Sequence, residues 1–181
     1  MKVTETELQG VLLIEPRSFE DDRGYFMETW NEARYGKEKV SPRFVQDNVS
    51  FSKKGVLRGL HFQNPKPQGK LVSVLQGKVF DVVVDLRTGS PTFKKWWGTN
   101  LSSDNKKQLF IPSGFAHGFL VLSESALFFY KCTDVYSPAS ELTILWNDPE
   151  IGIKWPLKSP VVSEKDRKGL RLGEIERGRL F

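Results

Sequence analysis

The stretch Gly55-Val56-Leu57-Arg58-Gly59-Leu60-His61-Phe62-Gln63 decides how the rest of the chain is interpreted. It holds His61, one of only two histidines, with Arg58 three residues before it and Lys70 nine residues beyond it. Histidine both takes and gives protons near neutrality, because its unperturbed pKa is about 6.5. A fixed cation can hold an anion or a developing oxyanion, and the two glycines suit close backbone approach. These nine residues support a catalytic site about as well as an ordinary core histidine with solvated basic neighbours.

Length and composition predict one soluble domain covering residues 1–181, long enough to bury a core. The longest apolar runs, Val11–Ile14 and Val82–Val84, are far shorter than the roughly 18 residues that span a membrane. The N-terminus has no basic region followed by an apolar stretch, so no secretory signal is expected. Cys132 is the single cysteine, which excludes an internal disulfide and suits a reducing compartment. The expected location is therefore cytoplasmic, with no membrane partner.

The formal charge of +5 comes from 27 basic and 22 acidic residues that are dispersed along the chain. A basic excess can indicate nucleic-acid binding. Even the densest segment, residues 163–181, mixes both signs and does not resemble a stripe that follows phosphates. Nucleic acid is therefore disfavoured as a partner, whereas solubility or a small anionic ligand explains the excess.

Short strand-like segments, separated by turn signals every eight to twelve residues, fill most of the sequence. They are Val3–Thr6, Val11–Ile14, a hairpin within Asp21–Trp30, Phe44–Ser50, Lys70–Gln76, Lys78–Asp85, Trp96–Leu101, Gln108–Ile111, Phe115–Leu122, Ala126–Tyr136 and Glu141–Trp146. A polar segment, Asn31–Lys39, predicts one short helix, and the tail from Ser163 predicts helix or loop. Helices do not alternate with strands, so we expect an all-β sandwich or barrel. A double-stranded β-helix, or jelly roll, with a short helical C-terminal tail is favoured.

One predicted strand carries a polar face. In Phe44–Ser50, the side chains of Gln46, Asn48 and Ser50 share one side, because alternate residues of a strand point the same way. Val45 and Val49 share the other side. Amides and hydroxyls in a row suit a polar cavity, although a solvent-exposed face is the commoner arrangement.

Three segments resemble the elements of a metal-binding cupin, which are Gly-x5-His-x-His, Glu-x6-Gly and Pro-x-Gly-x2-His. Here they are Gly55-x5-His61-x-Gln63, Lys70-x6-Gly77 and Pro112-x-Gly114-x2-His117. A glutamine replaces one histidine ligand, and a lysine replaces the carboxylate. A metal ion between the two imidazoles would then face an ammonium where it needs negative charge. The substitutions predict a site without metal or cofactor, suited to proton transfer and anion stabilisation.

Four longer motifs resemble the dTDP-4-dehydrorhamnose 3,5-epimerase family. They are Gly-Val-Leu-Arg-Gly-Leu-His-Phe-Gln, Asp-Asp-Arg-Gly-Tyr-Phe-Met-Glu, Ile-Pro-Ser-Gly-Phe-Ala-His-Gly-Phe and Trp-Asn-Asp-Pro followed by Trp-Pro. The resemblance covers nearly the whole chain in the same order. Phe62, Lys94 and Leu142 depart from the usual family residues, but none of them carries a reactive group.

The resemblance implies a substrate and an acid–base mechanism. In that family a dTDP-linked 4-keto-6-deoxy sugar is inverted at C3 and C5, the two carbons beside the C4 ketone. By resemblance, His61 is the base, Asp166 orients it, Lys70 faces the C4 oxygen, and Tyr130 is the acid on the opposite face. Such a division suits inversion, since the proton must leave one face and return to the other.

Binding residues and assembly also follow from the resemblance. The residues expected to hold the diphosphate or sugar are Arg23, Arg58 and Lys165; those expected to make polar contacts to the nucleotide sugar are Glu28, Gln46, Asn48, His117 and Glu141. Tyr136 is expected to stack on thymine, with Phe26 nearby. Family members resemble one another in forming homodimers with exchanged N-terminal strands, so Arg23 and Glu28 are expected to serve the partner's site.

Two alternatives remain open at this point. Relatives in other sugar pathways invert only C3 or only C5 and share the same acid and base. A non-catalytic sugar-binding cupin is the other alternative, but a pure binder has no need of an opposed acid and base.

Overall fold

Two antiparallel sheets stacked face to face form the body of the computed structural model, which describes residues 1–40 and 43–181. In spatial order, the six-stranded sheet contains β1 (Lys2–Glu5), β2 (Leu12–Glu15), β10 (Gln108–Ile111), β7 (Lys70–Gln76), β12 (Ser125–Cys132) and β5 (Gln46–Lys53). The five-stranded sheet contains β13 (Glu141–Thr143), β6 (Leu57–Gln63), β11 (Phe115–Val121), β8 (Lys78–Asp85) and β9 (Trp96–Ser102). A separate hairpin pairs β3 (Ser18–Asp21) with β4 (Gly24–Met27). The all-β, cupin-like prediction is confirmed, with two sheets that do not close into a barrel.

The two predicted helical regions are also present. Helix α1 covers Glu32–Lys37, and the Asn31 side chain caps it by accepting from the Arg34 amide at 3.0 Å. Helix α2 covers Glu164–Arg167, capped by Ser163, and two 3-10 turns follow at Leu172–Glu174 and Arg177–Arg179. No helix in the described residues is long and apolar enough to cross a membrane.

Two predicted strands end earlier than expected. The segment from Ala126 leaves its sheet after Cys132 instead of continuing to Tyr136, and the segment from Glu141 ends at Thr143. A side chain explains the first difference: the backbone amide of Tyr136 donates to the side-chain oxygen Gln46 Oε1 at 2.8 Å and not to the backbone of a neighbouring strand. The resulting loop brings Tyr136 to the rim of the space between the sheets.

The five-stranded sheet is buried on both faces. Side chains such as Val83 and Phe119 pack into the core between the sheets. Val82 and Val84 face the other way and are covered by Ile175 and other apolar residues of the C-terminal tail. Burial on both faces explains why β8 and β11 are nearly continuous apolar runs. The C-terminal tail therefore covers this face of the sheet, although its many charged residues are typical of a solvated segment.

A glycine permits the close approach of β6 and β11 beside both histidines. Gly59 has a φ of +124°, and a Cβ there would lie 2.6 Å from the Gly118 Cα and 2.8 Å from the His117 carbonyl oxygen. The ladder is irregular at this point, and His61 pairs directly with His117 across it. The predicted close backbone approach in this stretch is therefore present.

Candidate active site

A cavity of about 360 Å³ opens between the two sheets and is large enough for a small-molecule ligand. Both sheets contribute polar side chains to it. Those predicted from the sequence are Gln46, Asn48, Arg58, His61, Lys70, His117, Tyr130, Tyr136, Glu141 and Lys165. The polar face of β5 therefore lines a cavity, while Val45 and Val49 on its other face are exposed.

The His61 imidazole is held by a carboxylate from the C-terminal tail. His61 Nε2 lies 2.6 Å from Asp166 Oδ1, and the Gly59 amide also donates to this carboxylate at 3.5 Å. Burial alone would raise the pKa of Asp166, but these hydrogen bonds and the nearby imidazole hold it below its usual value. An ionised Asp166 accepts from Nε2–H, so Nδ1 is left as the nitrogen that can take a proton. This arrangement orients a base.

A second histidine–carboxylate pair lies across the strand ladder. His117 Nε2 is 2.9 and 3.0 Å from the two oxygens of Asp81, whose side chain is fully buried. The His117 ring lines the cavity and stacks on Phe128 with a centroid distance of 6.0 Å. The two imidazoles thus occupy neighbouring positions on one wall, each with its own carboxylate.

Lys70 and Tyr130 face His61 from the opposite sheet. Lys70 begins β7 and Tyr130 lies on the adjacent β12, both in the six-stranded sheet, whereas His61 lies on β6 of the five-stranded sheet. Burial lowers the pKa of Lys70, and burial raises the pKa of Tyr130, which keeps the phenol protonated at neutral pH. A ligand in the cavity would have an imidazole on one side, with a phenol and an amine on the other.

Three residues form a connected polar group at the mouth. Glu141 accepts from Lys165 Nζ at 2.8 Å and from the Tyr136 hydroxyl at 2.9 Å. Burial would raise the pKa of Glu141, but these two donors lower it below its usual value. Tyr136 is half exposed, so its side chain is accessible to a ligand.

Arg58, on β6, adds a further cation to the cavity. Its Nε donates to Ser52 Oγ at 2.9 Å, which fixes the guanidinium beside the polar face of β5. On that face, Gln46 Nε2 donates to Asn48 Oδ1 at 3.0 Å. Arg58 and the amides of Gln46 and Asn48 together form a polar wall that carries positive charge and suits an anionic ligand.

The predicted site residues in and beside the β3–β4 hairpin lie away from the cavity. Arg23 pairs with Asp21, Glu28 pairs with Arg34, and none of the hairpin's predicted site residues lines the cavity. The Phe26 side chain is 70% exposed. Within a single chain, therefore, Arg23, Phe26 and Glu28 are not brought to the other predicted site residues.

The donor set of the cavity does not suit a metal ion. Among residues 1–40 and 43–181, no three histidine, cysteine, aspartate or glutamate side chains converge. Gln63, at the position of a cupin ligand, instead binds backbone: its Nε2 donates to the Lys66 carbonyl at 2.8 Å and its Oε1 accepts from the Ser137 amide at 2.9 Å.

Sequence reasoning missed Asp81, the partner of His117. A carboxylate inside the apolar run Val79–Val84 is a usable signal, because a charged side chain in a buried strand needs a partner. It also missed Cys132, whose thiol lines the cavity beside Lys70.

Comparisons with known proteins agree over almost the full chain. The model of the family described as dTDP-4-dehydrorhamnose 3,5-epimerase matches residues 5–174. The dTDP-4-dehydrorhamnose 3,5-epimerase of Pseudomonas aeruginosa is 56% identical over 178 residues, covering 97% of this chain and 98% of that protein. The dTDP-4-dehydrorhamnose 3-epimerase of Streptomyces niveus is 38% identical, covering 96% and 85%.

The crystal structure of the Legionella pneumophila dTDP-6-deoxy-D-glucose-3,5-epimerase, solved with dTDP-4-keto-L-rhamnose, superimposes with a TM-score of 0.96. Its sequence is 50% identical, and the match covers 99% of this chain and 96% of that one. Family model, sequence identity and fold therefore agree, and the chain belongs to the dTDP-4-dehydrorhamnose 3,5-epimerase family.

Proposed function

We propose that the protein epimerises dTDP-4-dehydro-6-deoxy-D-glucose at C3 and C5, giving dTDP-4-dehydro-L-rhamnose for dTDP-L-rhamnose biosynthesis. The observation that carries this proposal is the placement of His61 and Tyr130 on opposing sheets, with Lys70 beside the phenol. In this proposal residues 1–181 act as one catalytic domain in the cytoplasm, without a cofactor.

The chemistry proceeds through an enolate. His61 Nδ1 takes the proton from C3, and the C–H electrons move into the C3–C4 bond while the carbonyl electrons move onto the C4 oxygen. The Lys70 ammonium hydrogen-bonds that oxygen and stabilises its charge. Tyr130 then returns a proton to C3 from the opposite face as the C4 carbonyl re-forms. Solvent restores both groups, and the same steps invert C5.

The nucleotide is proposed to lie along the polar wall. Arg58 and Lys165, which line the cavity, would hold the diphosphate, while Gln46 and Asn48 would offer amides to the sugar or base. Tyr136 at the mouth is proposed to stack on thymine, with the Glu141 hydrogen bond fixing its ring. His117 completes the polar contacts.

The remaining predicted contacts are proposed to come from a second copy. Exposed aromatic side chains on the hairpin, Phe19, Tyr25 and Phe26, support a homodimer in which this hairpin covers the partner's cavity. Arg23 and Glu28 would then reach the partner's substrate.

Proton NMR of dTDP-4-keto-6-deoxyglucose with the protein in D2O tests the reaction. Deuterium uptake at both carbons with accumulation of the L-rhamno product is expected. Exchange and inversion confined to one carbon would instead assign a single-carbon epimerase, the activity named for the Streptomyces niveus relative, which is 38% identical against 56% for the Pseudomonas aeruginosa 3,5-epimerase. Absence of exchange with tight binding would indicate a sugar-binding protein.

Mixing variants tests the shared site. A heterodimer of Arg23→Ala and His61→Asn chains would hold one doubly damaged site and one intact site. Activity should therefore recover in part after subunit exchange. If heterodimers form but activity does not recover, each chain builds its own site.

A further inference from the structure

A second cavity, of about 300 Å³, reaches His61 from the side of the C-terminal segment. It shares Arg58, His61 and Lys165 with the cavity between the two sheets (the main cavity), so the two cavities meet at the proposed base. Val161 and Asp166 line the second cavity but not the main one. His61 therefore borders two spaces, and the proposed reaction uses only one of them.

The second cavity is open to solvent and has polar walls. Val161 on its rim is 62% exposed, and Ser163 and Lys165 are also exposed. Close to the base it is lined by the Ser163 hydroxyl and by the Asp166 carboxylate, which lies 2.6 Å from His61 Nε2. A cavity of this volume with several polar partners has room for several water molecules.

The proposed reaction requires His61 to lose a proton between the two inversions. Removal of the C3 proton leaves an imidazolium, and a general base acts again only after it has been deprotonated. Meanwhile the ligand fills the main cavity, with Tyr136 at its mouth and, in the proposed homodimer, the partner's hairpin over it. Exchange of this proton with solvent therefore needs a route that avoids the bound sugar.

We propose that the second cavity is the solvent route through which His61 exchanges its proton while the sugar remains bound. The inference rests on the proposed role of His61 as the base for both carbons. Asp166 holds the Nε2–H, so the Nδ1–H gained from the sugar is the one given to a water molecule, which leaves as hydronium. Solvent returns one proton to the Tyr130 phenolate, so protons and charge balance over each inversion.

The variant Tyr130→Phe separates this exchange from inversion. Without the acid, His61 removes a proton and returns it on the same face, so deuterium enters the substrate only if His61 exchanges with D2O before the return. The test adds Val161→Trp, whose indole fills the second cavity, and measures deuterium uptake at C3 and C5 by NMR. Uptake should lose most of its rate, because the substrate receives its own proton back.

The matched control is Leu170→Trp, also combined with Tyr130→Phe. Leu170 is 45% exposed on the same C-terminal segment, and each of the two replaced residues forms an isolated parallel bridge, Leu170 with Ile144 and Val161 with Val56. Leu170 lines neither cavity, so its replacement should leave uptake at the level of Tyr130→Phe alone. Equal uptake in the two folded tryptophan variants would overturn the proposal.

A bulky group attached after folding makes the test independent of how the tryptophan variants fold. Val161→Cys and Leu170→Cys are each combined with Tyr130→Phe and with Cys132→Ser, so that each protein holds a single thiol. Deuterium uptake is compared before and after reaction with benzyl methanethiosulfonate. Modification at position 161 should lower uptake, and modification at position 170 should not. Unchanged uptake after complete modification at position 161 would overturn the proposal.

With Tyr130 intact, the same route should decide how many carbons are inverted in one binding event. Val161→Trp should release singly inverted product, because the second inversion waits for His61 to be deprotonated; Leu170→Trp should not. In wild-type protein, absence of deuterium exchange would refute the proposed reaction itself. Wild-type exchange at both carbons, together with a wild-type share of doubly inverted product from Val161→Trp, would refute the solvent route alone.

Discussion

The two histidine–aspartate pairs have the same composition, and their histidines lie opposite each other on β6 and β11, yet their surroundings differ. The side chains of His61 and Asp166 are 25% and 3% exposed, and those of His117 and Asp81 are 8% and 0% exposed. Asp166 receives an additional backbone donor, and the hydrogen bonds hold its pKa low. Burial raises the pKa of Asp81 against the opposing charges of His117 and Lys70.

The difference indicates that the environment of the carboxylate, more than the imidazole itself, decides whether a histidine acts as a base or only contacts the ligand. A partly exposed histidine whose carboxylate partner has a lowered pKa is accessible to a ligand for proton transfer. A sealed pair gains a proton only at the cost of rearranging buried charge. The proposed base, His61, therefore belongs to the more exposed of the two pairs.

Replacing the two histidines in parallel should give the largest contrast. His61→Asn should abolish deuterium uptake at C3 and C5, because the other imidazole of that wall, His117, is held in the buried pair with Asp81. His117→Asn should retain exchange, with weaker binding as its main defect. Deuterium uptake by NMR and KM values distinguish the two. Near wild-type exchange in His61→Asn would remove it as the base.

Removing the amine on the facing sheet should have the next largest effect. Lys70→Met should lower kcat at both carbons, since loss of one donor to a developing oxyanion costs about 3–4 kcal/mol of transition-state stabilisation. KM should change less, because the diphosphate is held elsewhere. Steady-state kinetics at fixed pH measure the split. A variant with raised KM and intact kcat would place Lys70 in ground-state binding.

The acid should separate exchange from inversion. In Tyr130→Phe the base survives, so deuterium uptake should continue with retention while inversion falls roughly a hundredfold. Comparing label content with stereochemistry in one NMR series measures both. Inversion at full rate would locate the proton donor elsewhere.

The two carboxylates should shift acid stability in opposite directions, by a smaller amount. Asp166 has a lowered pKa in the folded protein, so it stabilises the fold above its unfolded pKa of about 3.9 and loses that contribution as pH falls through the folded value. Asp166→Asn should thus lose about 2 kcal/mol at pH 7 and less in acid.

Asp81 has a raised pKa, so its ionisation between the unfolded and the folded value lowers stability as pH rises. Denaturant unfolding from pH 3 to 7 compares Asp81→Asn and Asp166→Asn with wild type. Parallel difference curves would mean that the two environments are alike.

Local patterns predicted most of the fold from the sequence. Strand alternation in segments such as Lys70–Gln76, and the Ser163 cap of α2, depend on neighbouring residues and were predicted correctly. The early end of β12 was not, because the amide of Tyr136 is satisfied by a side chain 90 residues away. The burial of the tail also depends on distant packing.

The site divides in the same way. The positions of His61 and Lys70 follow from cupin-like spacing, whereas Asp81 was missed because its partner is 36 residues away on another strand. The family resemblance assigned Arg23 and Glu28 to the site, but the structure of a single chain does not bring them there, since the proposed neighbour of each lies in a second copy.

The carboxylate that orients the proposed base is synthesised long after the base itself. Asp166 lies 105 residues after His61, and its segment is attached to β6 through backbone bonds between Val161 and the Gly55–Leu57 region. A nascent chain therefore carries an imidazole without its partner until a further 105 residues have been translated. Turnover would begin only when the C-terminal segment docks, so the appearance of activity during translation would time the completion of the fold.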